Sequence, residues 1–331
     1  MNILFRFGES RNLIFAFPHR NDNVQFFYPQ YFNASFVEGY AKKSIRNFDI
    51  MCHHMRFHRI EVEKVMPKDT FYFTILRNPV SLMESSFMYF KGSHIFIKAE
   101  SLEEFIKNPY KLYNKTSKYS HLGRNFMTFD LGFDHNGPEP TKYFKVIHKV
   151  LKTMFDLVLI TEYFDESLVL LKEALCWSYD DVLSFPLNSR EENNQEILSV
   201  ETQEGIKIWN QLDWQLYVYF NKTFWKKVEK FGQERMQQEV EELRRRRARK
   251  SEICIQDRVN ANDIKEKYLK PFQPRLAKIM GYNLKSGLGK SERSLCQSLV
   301  TPELQYSRYL LRRQRAITFK IKWFHGLSNL I

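Results

Sequence analysis

The sequence predicts an α/β fold built on a parallel sheet, and three observations carry that prediction. Apolar runs of strand length alternate with segments of helical period, and each strand-like run leads into a helix signal. Hydrophobic residues make up 43% of a 331-residue chain, enough apolar material for a large core. Gly (12) and Pro (11) are scarce, which excludes collagen-like and low-complexity chains.

The elements follow in order. Residues 2–7 are apolar on one side and read as a helix, with Gly8 as its C-cap. Residues 49–52 read as the end of a short buried strand. Residues 71–76 (FYFTIL) are β-branched and aromatic and give the strongest strand signal. Asn78 suits the N-cap of the helix that follows, and Pro79 its first position. That helix, residues 79–90, carries Leu82, Met83, Phe87 and Phe90 at helical spacing. A helix over 143–155 leads into a strand at 157–161 (LVLIT), and Asp165 is placed to cap a helix over 165–177. Residues 205–250 read as helical, 261–289 as irregular around Pro271 and Pro274, and 302–330 as a basic amphipathic helix packed on the domain. A βαβ fold that opens inside a helix implies a strand and a loop ahead of Asn2.

The chain carries 51 Lys and Arg against 38 Asp and Glu, a net charge of +13, concentrated from Arg244 onward in RRRRARK. Excess positive charge suits phosphates, sulfates, nucleic acid or anionic lipid. Glu239, Glu241 and Glu242 stand at helical spacing from those arginines, so a solvated, ion-paired helix face accounts for them. The residues contain no nucleic-acid reader motif, and no nucleic-acid partner is expected. No run reaches the roughly 18 apolar residues of a membrane span.

Cys52, Cys176, Cys254 and Cys296 are far apart with no Cys-x-x-Cys pair, which argues against zinc. They fit one or two disulfides in an oxidising lumen, or buried thiols in the cytosol. Three Asn-x-Ser/Thr sequons, at Asn33, Asn114 and Asn221, tilt the choice toward a lumen and are the candidate glycosylation sites.

Two segments carry chemistry. In the first, a strand ends at Leu76, Arg77 emerges at its carboxyl edge, and Ser85 lies two helical turns further on. Ligands of open α/β sheets sit beyond the strand ends. An Arg there offers a planar fork of donors and a Ser a directed hydroxyl, a pair suited to a phosphate dianion. The second is Cys52-His53-His54-Met55-Arg56-Phe57-His58, also following a strand. No spacing of a known metal site completes the histidines, so a neutral His acting as general base on a hydroxyl is preferred. Each His taken singly is as readily a hydrogen-bonded structural residue.

Seven segments together resemble the galactose-3-O-sulfotransferase family: NILFRFGE (2–9), HMRFH (54–58), ILRNPVSLMESSF (75–87), FDLGFD (129–134), EYFDESLVLLKEALCW (162–177), IMGYNL (279–284) and TPELQY (301–306). The resemblance implies a P-loop-kinase-like sulfotransferase fold with a central parallel sheet flanked by helices. It further implies 3′-phosphoadenylyl sulfate (PAPS) as donor, with no metal required, and the 3-hydroxyl of a terminal β-galactose as acceptor, on galactosylceramide or on glycoprotein glycans. Arg77 and Ser85 fall on the family's signature for the donor's 3′-phosphate, and His54 falls where related sugar sulfotransferases place the catalytic base. Members are Golgi membrane proteins with a lumenal catalytic domain, here residues 1–250, with 251–331 a basic helical extension packed on it. The segments 65–80 and 129–136 stand slightly closer to the glycoprotein-acting relatives. One departure is expected: the family's first strand and 5′-phosphosulfate loop would precede Asn2, and the alternative to a sulfotransferase is therefore an inactive or fragmentary nucleotide- or glycan-binding homologue.

Overall fold

A computed structural model describes residues 1–19, 24–45, 47–92, 95–137, 139–190, 197–274 and 277–328, with side chains of the last helix described through Ile317. The fold is mixed α/β and mostly helical. Strands β1 (Phe73–Leu76) and β2 (Leu157–Ile160) pair in parallel, with Phe73 opposite Leu157 and Leu76 opposite Ile160. Every residue of β2 is buried, as a strand covered on both faces requires. Helices Phe164–Ala174, Gln211–Phe231 and Gln233–Cys254 pack around this pair and share its core, with Leu168, Leu216, Phe220 and Leu243 at the centre.

The parallel sheet is smaller than the sequence predicts. Ile50 lies in a single parallel bridge to Phe15, not at the end of a strand, although Ala16 N–H donates to its carbonyl at 2.8 Å. Two further parallel bridges, Gln25 with His54 and Tyr31 with Arg56, continue this extended region. Pro18 offers no N–H, and Phe27 sits at φ 50°, so no continuous ladder forms among these residues.

The opening helix runs Asn2–Ser10, two residues beyond the expected stop, and Arg11 ends it. Gly8 is therefore not a C-cap. A Cβ there would lie 2.3 Å from the Phe15 ring, so close packing explains the glycine. This helix packs with Phe15, Phe17, Tyr306, Leu310 and Leu311, joining the chain's start to the final helix, Glu303–Ser328. Asn2 Nδ2 donates to the Ser298 carbonyl at 2.8 Å, and Tyr306 Oη donates to Glu9 at 2.6 Å.

Asp165 does not cap its helix; Tyr163 holds that place. Asp165 instead accepts from Arg244 Nε at 2.7 Å and Arg247 Nη2 at 2.5 Å, while Glu242 accepts from Arg245 at 2.8 Å and Arg246 at 2.6 Å. The RRRR run is thus ion-paired helix face. Beyond it, β3 (Ile255–Asn260) and β4 (Met280–Leu284) pair antiparallel, so the segment after 250 carries strands as well as helices. A Cys254–Cys296 disulfide fastens β3's entry to helix Lys290–Val300, both inside the main core, while Cys52 and Cys176 are free.

Candidate active site

The parallel pair delivers two residues to one edge. β1 ends at Leu76, and the Asn78 side chain accepts the Val80 N–H at 2.9 Å, capping helix Pro79–Phe90 as expected. Asn78 N–H donates to Glu162 Oε1 at 2.9 Å, and Glu162 follows the end of β2. Arg77 is held between them, its N–H on Met127 Sδ at 3.3 Å. Its guanidinium is half-buried and makes no hydrogen bond or ion pair among the described residues. Burial lowers its pKa, and Arg190 adds to this; the charges of Glu162 and Glu84 oppose it. It stays a cation, since arginine does not deprotonate in proteins.

The neighbouring acid is already spent. Glu84, 6% exposed, takes both Nη atoms of Arg190 in a bidentate pair. Glu84 therefore leaves little charge for Arg77, which keeps an open fork at the strand tip. Ser85, next along the helix, is half-buried, and its hydroxyl has no hydrogen-bond partner among the described residues. Arg77 and Ser85 do not bond to each other. Arg77 at the strand's carboxyl edge and Ser85 on the helix that follows are donors without acceptors among the described residues, as an anion would satisfy.

The histidines of residues 52–58 have separate fates. His53 is 3% exposed among the rings of Phe5, Phe17 and Phe26, with Nε2 2.8 Å from Ser307 Oγ, and burial pushes its pKa down to about 3. It is a neutral core residue. His58 precedes helix Arg59–Glu63, its Nδ1 3.3 Å from the Phe32 carbonyl. His54 alone turns outward, its side chain 55% exposed, with Nε2 3.1 Å from Glu303 Oε1. Burial lowers its pKa, but the Glu303 hydrogen bond and charge, with Asp130 behind them, outweigh it and the net direction is up.

Behind His54 lies a polar cluster built by the FDLGFD segment. Tyr28 Oη donates to Asp130 at 2.6 Å, and burial raises the Asp130 carboxyl to about 7 against the pull of Tyr28, His54 and Arg56. Arg56 stacks on Tyr31 (3.6 Å) and Phe129 (4.1 Å) and donates to Tyr31 Oη at 2.8 Å. Sequence reasoning assigned no role to Glu303, Asp130 or Arg190. The only signal for the first two was their presence in TPELQY and FDLGFD.

The Arg77–Ser85 pair and His54 form two groups with no direct contact. Glu303 holds His54 through its carboxylate; burial, with the Glu303 charge adding to it, raises the phenol of Tyr89, one turn past Ser85. A cavity of about 520 Å³ lined by His19, Glu38, Lys42 and Arg315 shares no residue with either group.

Of the sequons, Asn33 and Asn114 are exposed, each accepting from the hydroxyl two residues on, at 2.6 and 2.7 Å. Asn221 lies inside helix Gln211–Phe231 with its Oδ1 buried. Among the described residues no cluster could hold a metal ion, and no helix is long and apolar enough to cross a membrane.

The family model for galactose-3-O-sulfotransferase matches residues 1–314. The chain belongs to the galactose-3-O-sulfotransferase family. It is 42% identical to galactose-3-O-sulfotransferase 2 of Mus musculus over 95% of this chain and 81% of the relative. It is 43% identical to galactosylceramide sulfotransferase of Mus musculus over 92% and 73%, and 35% identical to galactose-3-O-sulfotransferase 4 of Homo sapiens over 95% and 80%. No solved structure matches significantly. Membership in this family makes the chain a sulfotransferase.

Proposed function

We propose that this sulfotransferase moves sulfate from PAPS to the 3-hydroxyl of a terminal β-galactose on the lumenal side of the Golgi membrane. The observation that carries the reading is the open guanidinium of Arg77 at the carboxyl edge of β1, in a family whose relatives act on galactose. Arg77 and Ser85 fit a phosphate that needs charge and a directed donor, and they would hold the 3′-phosphate of the carrier. The exposed sequons at Asn33 and Asn114 and the buried Cys254–Cys296 disulfide support an oxidising, glycosylating compartment.

In the proposed reaction His54 is the base. The sugar O–H bond breaks and its proton goes to the imidazole. The oxygen's electron pair forms the new bond to sulfur, and the bond from sulfur to the phosphate oxygen breaks with its pair leaving on phosphate. Such proton removal contributes roughly 10²–10⁴-fold. The acceptor is proposed at the level of the β-galactoside, because the relatives named for galactose and for galactosylceramide stand at 42% and 43% identity. The test is His54→Ala. Transfer to a β-galactoside should fall by roughly 10²–10⁴-fold, while adenosine 3′,5′-bisphosphate binding by calorimetry is retained. Full transfer activity in this variant contradicts the assignment.

A further inference from the structure

TPELQY has no place in the donor pair or in the base, yet it delivers Glu303 to His54 across 249 residues of chain. Glu303 opens the final helix, and that helix is fixed to the domain at several points. His53 reaches Ser307, Tyr306 donates to Glu9, and Gln314 Nε2 and Oε1 bond the carbonyl and N–H of Phe15 at 3.0 and 2.9 Å. The carboxylate is therefore presented from a clamped helix start and not from a wandering side chain on a loop.

We propose that Glu303 is the positioning residue for His54: its carboxylate accepts the Nε2 proton, fixes the tautomer, and leaves the Nδ1 lone pair to take the acceptor's proton. The proposal rests on the reading of His54 as base. The tautomer follows from elementary bonding. A carboxylate can only accept, so the nitrogen 3.1 Å from it must carry hydrogen, and the other nitrogen of a neutral ring is then the basic one. When Nδ1 takes the hydroxyl proton, the ring becomes a cation facing Glu303, and the pair offsets that charge. Both side chains are partly exposed in the free protein, 55% and 36%, so the interaction is modest until an acceptor covers it and lowers the local dielectric.

The other groups facing the pair are few. Asp130 raises the His54 pKa from the Phe126–Asp130 helix, and the Met1 amino group lowers it. His53 is neutral at ordinary pH, and burial raises the Cys52 thiol to about 12, so neither adds charge. Tyr89 faces Glu303 as an uncharged phenol. Glu303 is the one carboxylate within bonding distance of the ring among the described residues.

The test uses the full chain with ¹³C-labelled histidine, the His54 signal being assigned by its loss in His54→Ala. Glu303→Gln keeps shape and removes the charge. It should lower the His54 pKa, move the acid limb of kcat to lower pH by the same amount, and reduce kcat at neutral pH about 10- to 100-fold. Binding of adenosine 3′,5′-bisphosphate and the thermal midpoint should not change, and Glu303→Asp should restore part of kcat. An unshifted His54 titration and acid limb in Glu303→Gln overturn the proposal alone. Wild-type transfer by His54→Ala overturns the base assignment and the proposal with it.

Discussion

Helix Gln233–Cys254 carries four arginines in succession, Arg244 to Arg247; the tip of β1 carries one, Arg77. The four are the densest positive charge in the sequence, and each meets a carboxylate, Asp165 or Glu242, at 2.8 Å or less. Arg77 meets none among the described residues, because Arg190 occupies Glu84 and Glu162 accepts the Asn78 backbone. On the proposed reading, local charge density is the poorer guide to the anion site. Unmet bonding capacity at a topologically favoured edge is the better sign.

The comparison breaks most readily at Glu84. Glu84→Gln removes the carboxylate that takes both Nη atoms of Arg190, and stability should fall by about 1.5–3 kcal/mol in denaturant titration. An unchanged midpoint would mean that Arg190 does not depend on Glu84, and that Glu84 was available to Arg77. The smallest effect belongs to the arginine helix. Arg244→Ala or Arg245→Ala should each cost at most about 1 kcal/mol, since both arginine side chains are largely exposed and such ion pairs contribute little. Neither should alter affinity for adenosine 3′,5′-bisphosphate. A large loss of affinity in either variant would move the anion site to that helix.

How much was legible in the sequence follows from range. Residues 71–76 and 157–161 announced β1 and β2 through β-branched and aromatic runs, and Asn78-Pro79 announced the helix start, because those signals are local. Arg77 stood out by its place between them. Asp165 was misread for the same reason: its position suits a cap, and nothing near it in sequence reveals two arginines 79 and 82 residues away. Gly8 was read as a helix stop, whereas the Phe15 ring against it decides. Among the histidines, spacing could not separate His53 from His54. Burial among three phenylalanines makes one inert, and a carboxylate 249 residues on holds the other. Longer-range pairing also explains the small sheet, since prolines and positive-φ residues interrupt the 13–58 region after each short approach.

The central claim is that Arg77 is open because a phosphate completes it. Calorimetry should compare adenosine 3′,5′-bisphosphate with adenosine 5′-monophosphate on the wild-type protein and on Arg77→Ala. The wild type should favour the bisphosphate, and Arg77→Ala should lose roughly 100-fold of that preference, the worth of a charged bidentate contact. If Arg77→Ala still prefers the bisphosphate by the wild-type margin, the 3′-phosphate is held elsewhere and the account of the strand tip is wrong.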